Sequence, residues 1–178
     1  MNIAEKLNNK IKRYKDYPKE GIVFADITTL LADKDSWNLL TSHLKEKYKN
    51  DNFDFIVGAE SRGFIFAAAL GAMLNIPFVP IRKKNKLPGK LVSQEYELEY
   101  GTDKLEMKKD AFLGKTDVKV LFMDDLLATG GTSIACVKLL KKVGAKDIKS
   151  CFLIDINLGG EDALRHYCDD IYCIIKEK

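Results

Sequence analysis

The sequence predicts an α/β fold, with a mostly parallel central sheet flanked by helices. Three observations predict it. Short apolar runs of strand length recur at residues 53–57, 77–81, 118–123, 148–156 and 171–175, as in strands buried on both faces. Segments with helical spacing alternate with them, as a parallel sheet requires. Two strand-to-helix junctions, at residues 58–63 and 128–132, are glycine-bearing turns, and ligands in such folds bind at the carboxyl ends of strands.

Length and composition narrow the function classes. The 178 residues suit one domain with a sizeable core, and a hydrophobic share of 46% is that of a globular chain. A net charge of +3 is too small for a nucleic-acid footprint, which clusters Lys and Arg. Residues 65–74 are apolar but too short for a bilayer, and Gly71 interrupts them, so no membrane partner is expected. The polar start is unlike a signal peptide. Cys136, Cys151, Cys168 and Cys173 form no Cys-x-x-Cys pair and have no His at ligand spacing. Buried, reduced thiols are expected, which suits the cytoplasm. His43 and His166 lie outside every motif, so a His-based nucleophile triad has no support.

In chain order, Ile3, Leu7, Ile11 and Tyr14 recur every three or four residues and predict an amphipathic helix ending before Pro18. Pro18 and Gly21 mark a turn, and residues 22–27 read as a short strand. Asp35 or Ser36 is placed to cap a helix whose stripe of Trp37, Leu40, Leu44 and Tyr48 faces a core. After the strand at 53–57, Gly58-Ala59-Glu60-Ser61-Arg62-Gly63 turns into a small-residue helix. The glycine spacing is that of a Walker A loop, but Phe64-Ile65 stands where Lys-Ser/Thr is required, which disfavours a nucleoside triphosphatase. Arg62 has the planar fork that grips phosphate, although an isolated Arg is more often a surface ion pair.

The strand at 77–81 runs into a cation-rich segment, residues 82–90, which on its own reads as a solvated loop. Residues 92–100 alternate Tyr96, Leu98 and Tyr100 with Glu95, Glu97 and Glu99, the period of a strand or extended flap. Gly101-Thr102-Asp103 turns it, and residues 104–107 pair back as a hairpin. Next, the apolar run 118–123 ends at Asp124 and Asp125, and Ala128-Thr129-Gly130-Gly131-Thr132 leads into Ile134, Val137 and Leu140 at helical spacing. A helix N-terminus of this kind favours a phosphate, and Gly130 and Gly131 let the backbone approach an anion. Thr129, Thr132 and Ser133 add hydroxyls. Two carboxylates would repel phosphate but suit vicinal sugar hydroxyls, so a ribose 5-phosphate meets both demands. Gly144 ends the helix as a C-cap, and Gly159-Gly160-Glu161-Asp162 opens a last short helix.

The run from Asp124 to Thr132 resembles the 5-phosphoribosyl 1-pyrophosphate (PRPP) motif of type I phosphoribosyltransferases, especially the adenine phosphoribosyltransferases. Further matches follow the family's order over residues 17–156: the stretch from Tyr17-Pro18 to Asp26-Ile27, Ser61-Arg62-Gly63-Phe64, Ile81-Arg82-Lys83 with Lys86-Leu87-Pro88-Gly89, and Glu99-Tyr100-Gly101. The resemblance implies the type I phosphoribosyltransferase fold as a single domain over 1–178, with a small hood at about 15–30 and a flexible catalytic loop at about 83–107. It implies transfer of the 5-phosphoribosyl group from PRPP to adenine, giving AMP and pyrophosphate in purine salvage. It also implies a cytoplasmic homodimer, with Mg²⁺ as cofactor, held mainly by PRPP and pyrophosphate rather than by protein ligands.

Residue roles follow from the same resemblance. Asp124 and Asp125 are catalytic and hold the ribose, while Ala128, Thr129, Gly130, Gly131 and Thr132 hold the 5-phosphate. Ser61, Arg62, Arg82, Lys83 and Lys86 meet the pyrophosphate, with family precedent for Arg82 reaching in from a neighbouring subunit. Val23, Phe24, Ala25 and Tyr100 bind adenine, and the catalytic Glu99 lies near the base nitrogens. The family carries Arg where this chain has Ala25, which preserves backbone readout but removes a side chain. An enzyme for hypoxanthine, guanine or xanthine is therefore the first alternative, and a non-catalytic PRPP-binding regulator the second.

Overall fold

The structure is a computed structural model that describes residues 1–98, 101–168 and 170–177. It comprises two compact units, Met1–Tyr48 and Lys49–Lys178. The first holds α1 (Ile3–Asn8), β1 (Lys12–Lys15), β2 (Val23–Asp26), α2 (Thr28–Ala32) and α3 (Lys34–Tyr48). Helix α1 opens with a capping box: Glu5 N–H donates to Asn2 Oδ1 at 2.9 Å, and Asn2 N–H to Glu5 Oε2 at 3.0 Å.

The predicted N-terminal helix extends too far. It stops at Asn8, because Asn8 and Asn9 are weak helix formers, and Tyr14 belongs to the strand β1 that follows. Residues 12–15 pair antiparallel with 23–26, Lys12 opposite Asp26. The loop between them is closed by Gly21 N–H donating to Asp16 Oδ1 at 2.8 Å, with Gly21 at φ 84°. The cap of α3 also differs from expectation: Ser36 N–H donates to Asp33 Oδ1 at 3.0 Å, so Asp33 fills that role rather than Asp35 or Ser36. The expected stripe holds, with Leu40, Leu44 and Tyr48 buried and Trp37 half-buried.

The second unit holds β3 (Phe55–Ala59), α4 (Gly63–Leu74), β4 (Phe78–Lys83), β5 (Leu91–Leu98), β6 (Gly101–Lys108), β7 (Val118–Leu127), α5 (Gly131–Val143), β8 (Ala145–Asp155), α6 (Gly160–Arg165) and β9 (Asp170–Lys176). The strands form one sheet in the order β5-β6-β4-β3-β7-β8-β9. From β4 to β9 every neighbouring pair is parallel; the β5–β6 hairpin joins antiparallel at the edge, as its alternation predicts. Central strands are apolar because helices cover them, and β3 is buried throughout. Phe122 and Phe152, both fully buried, meet edge to face at 5.9 Å between centroids; truncating either to Ala would cost roughly 3–5 kcal/mol. All four cysteines are buried and outside any disulfide, as expected.

Strand β7 departs from expectation in the position of its end. It runs past Asp124 and Asp125 to Leu127, because β8 continues to pair with it as far as Leu127 opposite Asp155. The acidic pair thus lies inside a strand rather than after its end.

Candidate active site

The parallel register of β3 and β7 places Gly58 opposite Met123, so the turn after β3 opens beside the acidic pair. Two glycines make that approach possible. A Cβ on Gly63 would stand 2.6 Å from the Met123 carbonyl oxygen and 3.1 Å from Asp124 Oδ1. A Cβ on Gly58 would stand 2.8 Å from the Gly63 carbonyl oxygen. Within this turn the Glu60–Ser61 peptide is cis. The outcome is an ion pair across the turn, Arg62 Nη2 to Asp125 Oδ2 at 2.9 Å.

The phosphate turn is built by a second close approach. Gly130 sits at φ 89°, a left-handed conformation that favours glycine, and caps α5 without a side-chain hydrogen bond. The orphan N–H groups of the first turn are thereby left for a ligand. A Cβ on Gly160 would fall 2.2 Å from the Ala128 carbonyl oxygen and 3.0 Å from Gly130 N, so α6 begins directly against this turn. Glu161 on α6 pairs with Lys176 of β9, tying that helix to the sheet.

Both turns open into one cavity of about 350 Å³. Its wall brings together Ser61, Arg62 and Lys83, the acidic pair, and the whole of residues 128–132. Burial, with the Asp125 charge next, holds the Asp124 carboxyl well above the usual carboxylate range. Burial also raises Asp125, and the Arg62 guanidinium opposes that rise. Burial and mutual repulsion thus disfavour two full charges on the pair.

Arg82 is held by Glu60, through Nε at 2.9 Å and Nη2 at 3.3 Å, and Lys83 N–H donates to the same carboxylate at 2.8 Å. Neither Arg82 nor Lys86 lines the cavity, although the Lys86 carbonyl accepts a long contact of 3.5 Å from Arg82 Nη1. Val23, Phe24 and Ala25 belong to the first unit, on β2. Glu99 and Tyr100 lie outside the described residues. Sequence reasoning missed Tyr96 and Glu60 as cavity residues. Tyr96 was visible only as one position of an alternating strand, and no motif marks which face of an edge hairpin meets a site. Glu60 sat inside the recognised turn, but its partner is distant in sequence.

The described residues contain one grouping of three metal-ligating side chains, Asp155, Glu161 and Cys173, and it lies outside this cavity, with Lys176 already on Glu161. The cavity itself offers three carboxylates, of which Glu60 is held by Arg82 and Asp125 by Arg62. That donor set is too small for a protein cage around Mg²⁺, but fits an ion carried largely by oxygens of a substrate.

A mostly parallel sheet whose turns after β3 and β7 and acidic pair on β7 line one cavity defines an α/β protein with its ligand site at the carboxyl ends of the strands. The chain belongs to the phosphoribosyl transferase domain family, whose model matches residues 26–178. It is 55% identical over 159 residues to the adenine phosphoribosyltransferase of Campylobacter jejuni, covering 89% of this chain and 87% of that one. Among solved structures, the adenine phosphoribosyltransferase of Thermoanaerobacter pseudethanolicus matches with a TM-score of 0.90 at 42% identity, over 98% of this chain and 99% of that one. The Giardia lamblia enzyme, solved with 9-deazaadenine, matches with a TM-score of 0.92 at 31% identity, over 100% and 99%.

Proposed function

We propose that this chain transfers the 5-phosphoribosyl group of PRPP to adenine, releasing pyrophosphate and forming AMP. The observation that carries the reading is the single cavity shared by the 128–132 turn, the acidic pair and the Ser61-Arg62 turn. PRPP has a phosphate at one end, a diol in the middle and a pyrophosphate beside it, and the cavity wall offers a group for each. The relatives' names favour adenine as the base.

Breaking the bond between C1 and pyrophosphate builds positive charge on the ribose ring, as in glycoside chemistry. Asp124 and Asp125 accept hydrogen bonds from the ribose hydroxyls and stabilise that charge. The backbone and hydroxyls of residues 128–132 anchor the 5-phosphate. Ser61, Arg62 and Lys83 take the departing pyrophosphate; Arg62 is preorganised for it by Asp125. Mg²⁺, when bound with the substrate, neutralises pyrophosphate charge. The resemblance assigns Val23, Phe24, Ala25 and Tyr100 to the base and Glu99 to its proton loss. It assigns Arg82 and Lys86 to pyrophosphate, with a homodimer as the source of Arg82. The loop at about 83–107 excludes water when closed. A single functional domain and a cytoplasmic setting complete the reading.

An oxo-purine enzyme is the competing reading, which Ala25 in place of Arg leaves open. Pyrophosphate release with PRPP, Mg²⁺ and adenine, hypoxanthine, guanine or xanthine separates the two. Release with adenine alone supports the proposal. Release only with an oxo-purine overturns the base and keeps the chemistry; a hydrogen-bonding site discriminates such groups by orders of magnitude. Binding of PRPP without release for any base favours a regulator.

A further inference from the structure

The β5–β6 hairpin lies along α5, the helix that follows the phosphate turn. Near the end of α5, Lys142 Nζ donates to the Ser93 carbonyl at 3.0 Å and to Gln94 Oε1 at 2.9 Å. At its start, a Cβ on Gly131 would stand 3.6 Å from the Glu97 carbonyl oxygen. Between these points Tyr96 forms part of the cavity wall. Its phenol donates to Oδ2 of Asp103, its cross-strand partner, at 3.1 Å. Asp103 itself takes no part in the cavity wall, whereas the tyrosine bonded to it does.

A carboxylate near a phosphate pocket repels the ligand. A protonated phenol bonded to it counters that repulsion by donating to the carboxylate. Tyr96 keeps its proton, since burial and the Asp103 charge push the phenol up to about 12.

We propose that Tyr96 is a positioning residue for the 5-phosphate: it caps the Asp103 carboxylate and keeps that charge from the pocket. The inference rests on the phosphoribosyl reading of the cavity. Neither Tyr96 nor Asp103 belongs to the motifs that carry the resemblance.

The test is titration calorimetry of the full chain with PRPP and Mg²⁺, without base. Tyr96→Phe keeps the ring and removes the donor; PRPP binding should weaken roughly tenfold, the scale of one hydrogen bond to a charged group. The KM for adenine and the Tm should stay near those of the unmutated chain. Adding Asp103→Asn to Tyr96→Phe removes the uncapped charge and should restore most of the affinity. Unchanged affinity in Tyr96→Phe overturns the proposal. So does a loss that Asp103→Asn does not restore, since a merely structural phenol would be indifferent to that charge. If the unmutated chain fails to bind PRPP, the phosphoribosyl reading itself fails, and this inference with it.

Discussion

Arg62 reaches Asp125 at 2.9 Å, joining the turn after β3 to the acidic strand β7 through one ion pair inside the cavity. The contact links the group assigned to pyrophosphate with a group assigned to the ribose. It holds the guanidinium fork in place before any ligand arrives, and it partly offsets the burial of the carboxylate.

Removing that fork tests the link. Arg62→Ala should lower kcat by roughly 10²–10³, the range for losing one preorganised charge stabiliser. Arg62→Lys should recover only part, because an ammonium lacks the planar fork. Steady-state pyrophosphate release on both variants checks this.

The acidic pair should make stability depend on pH. Both carboxyls are raised in the folded chain. Above the unfolded carboxyl value of about 3.9, the native state therefore binds more protons than the unfolded state, and stability falls as pH rises through the folded values. Asp124→Asn removes that loss. Its Tm, measured without ligand, should exceed that of the unmutated chain at pH near 8, and the advantage should shrink as pH falls toward about 4. Catalysis should fall sharply in the same variant, because a site that stabilises a ligand's charge is unstable without it.

Gly63→Ala places a methyl 2.6 Å from the Met123 carbonyl oxygen, which belongs to rigid backbone. The expected cost is about 1–3 kcal/mol, seen as a Tm drop of about 2–4 °C per kcal/mol. Activity should fall further than stability, since the shift separates Arg62 from Asp125. Thermal melts and kinetics on the same preparation distinguish the two effects.

Gly160→Ala acts on the other turn. Its methyl would stand 2.2 Å from the Ala128 carbonyl oxygen, so either α6 or the phosphate turn must move. The KM for PRPP should rise by about tenfold or more, with the KM for adenine little changed. Equal changes in both would place the damage elsewhere.

Much of this site was legible in the sequence, because each turn carries its own chemistry locally. Gly58 to Gly63 and Ala128 to Thr132 announce strand-to-helix anion turns by residue type and spacing alone. Asp124 and Asp125 announce a polar ligand because two carboxylates interrupt an apolar run. The illegible part is set by contacts between distant residues. Ile11 and Tyr14 fit a helical period, yet pairing with β2 makes residues 12–15 a strand. The end of β7 was misplaced because β8 pairing carries it on to Leu127. Residues 82–90 read as a solvated loop, and only the fold shows Glu60 holding Arg82. Tyr96 reaches the cavity wall because the hairpin lies against α5.

The central claim is that one cavity holds both ends of the substrate. A crystal structure of the chain grown with AMP, pyrophosphate and Mg²⁺ tests it most directly. The account predicts the 5-phosphate in the turn of residues 128–132, the ribose hydroxyls on Asp124 and Asp125, and pyrophosphate beside Ser61 and Arg62. A 5-phosphate bound anywhere else, or pyrophosphate away from Arg62, would contradict it.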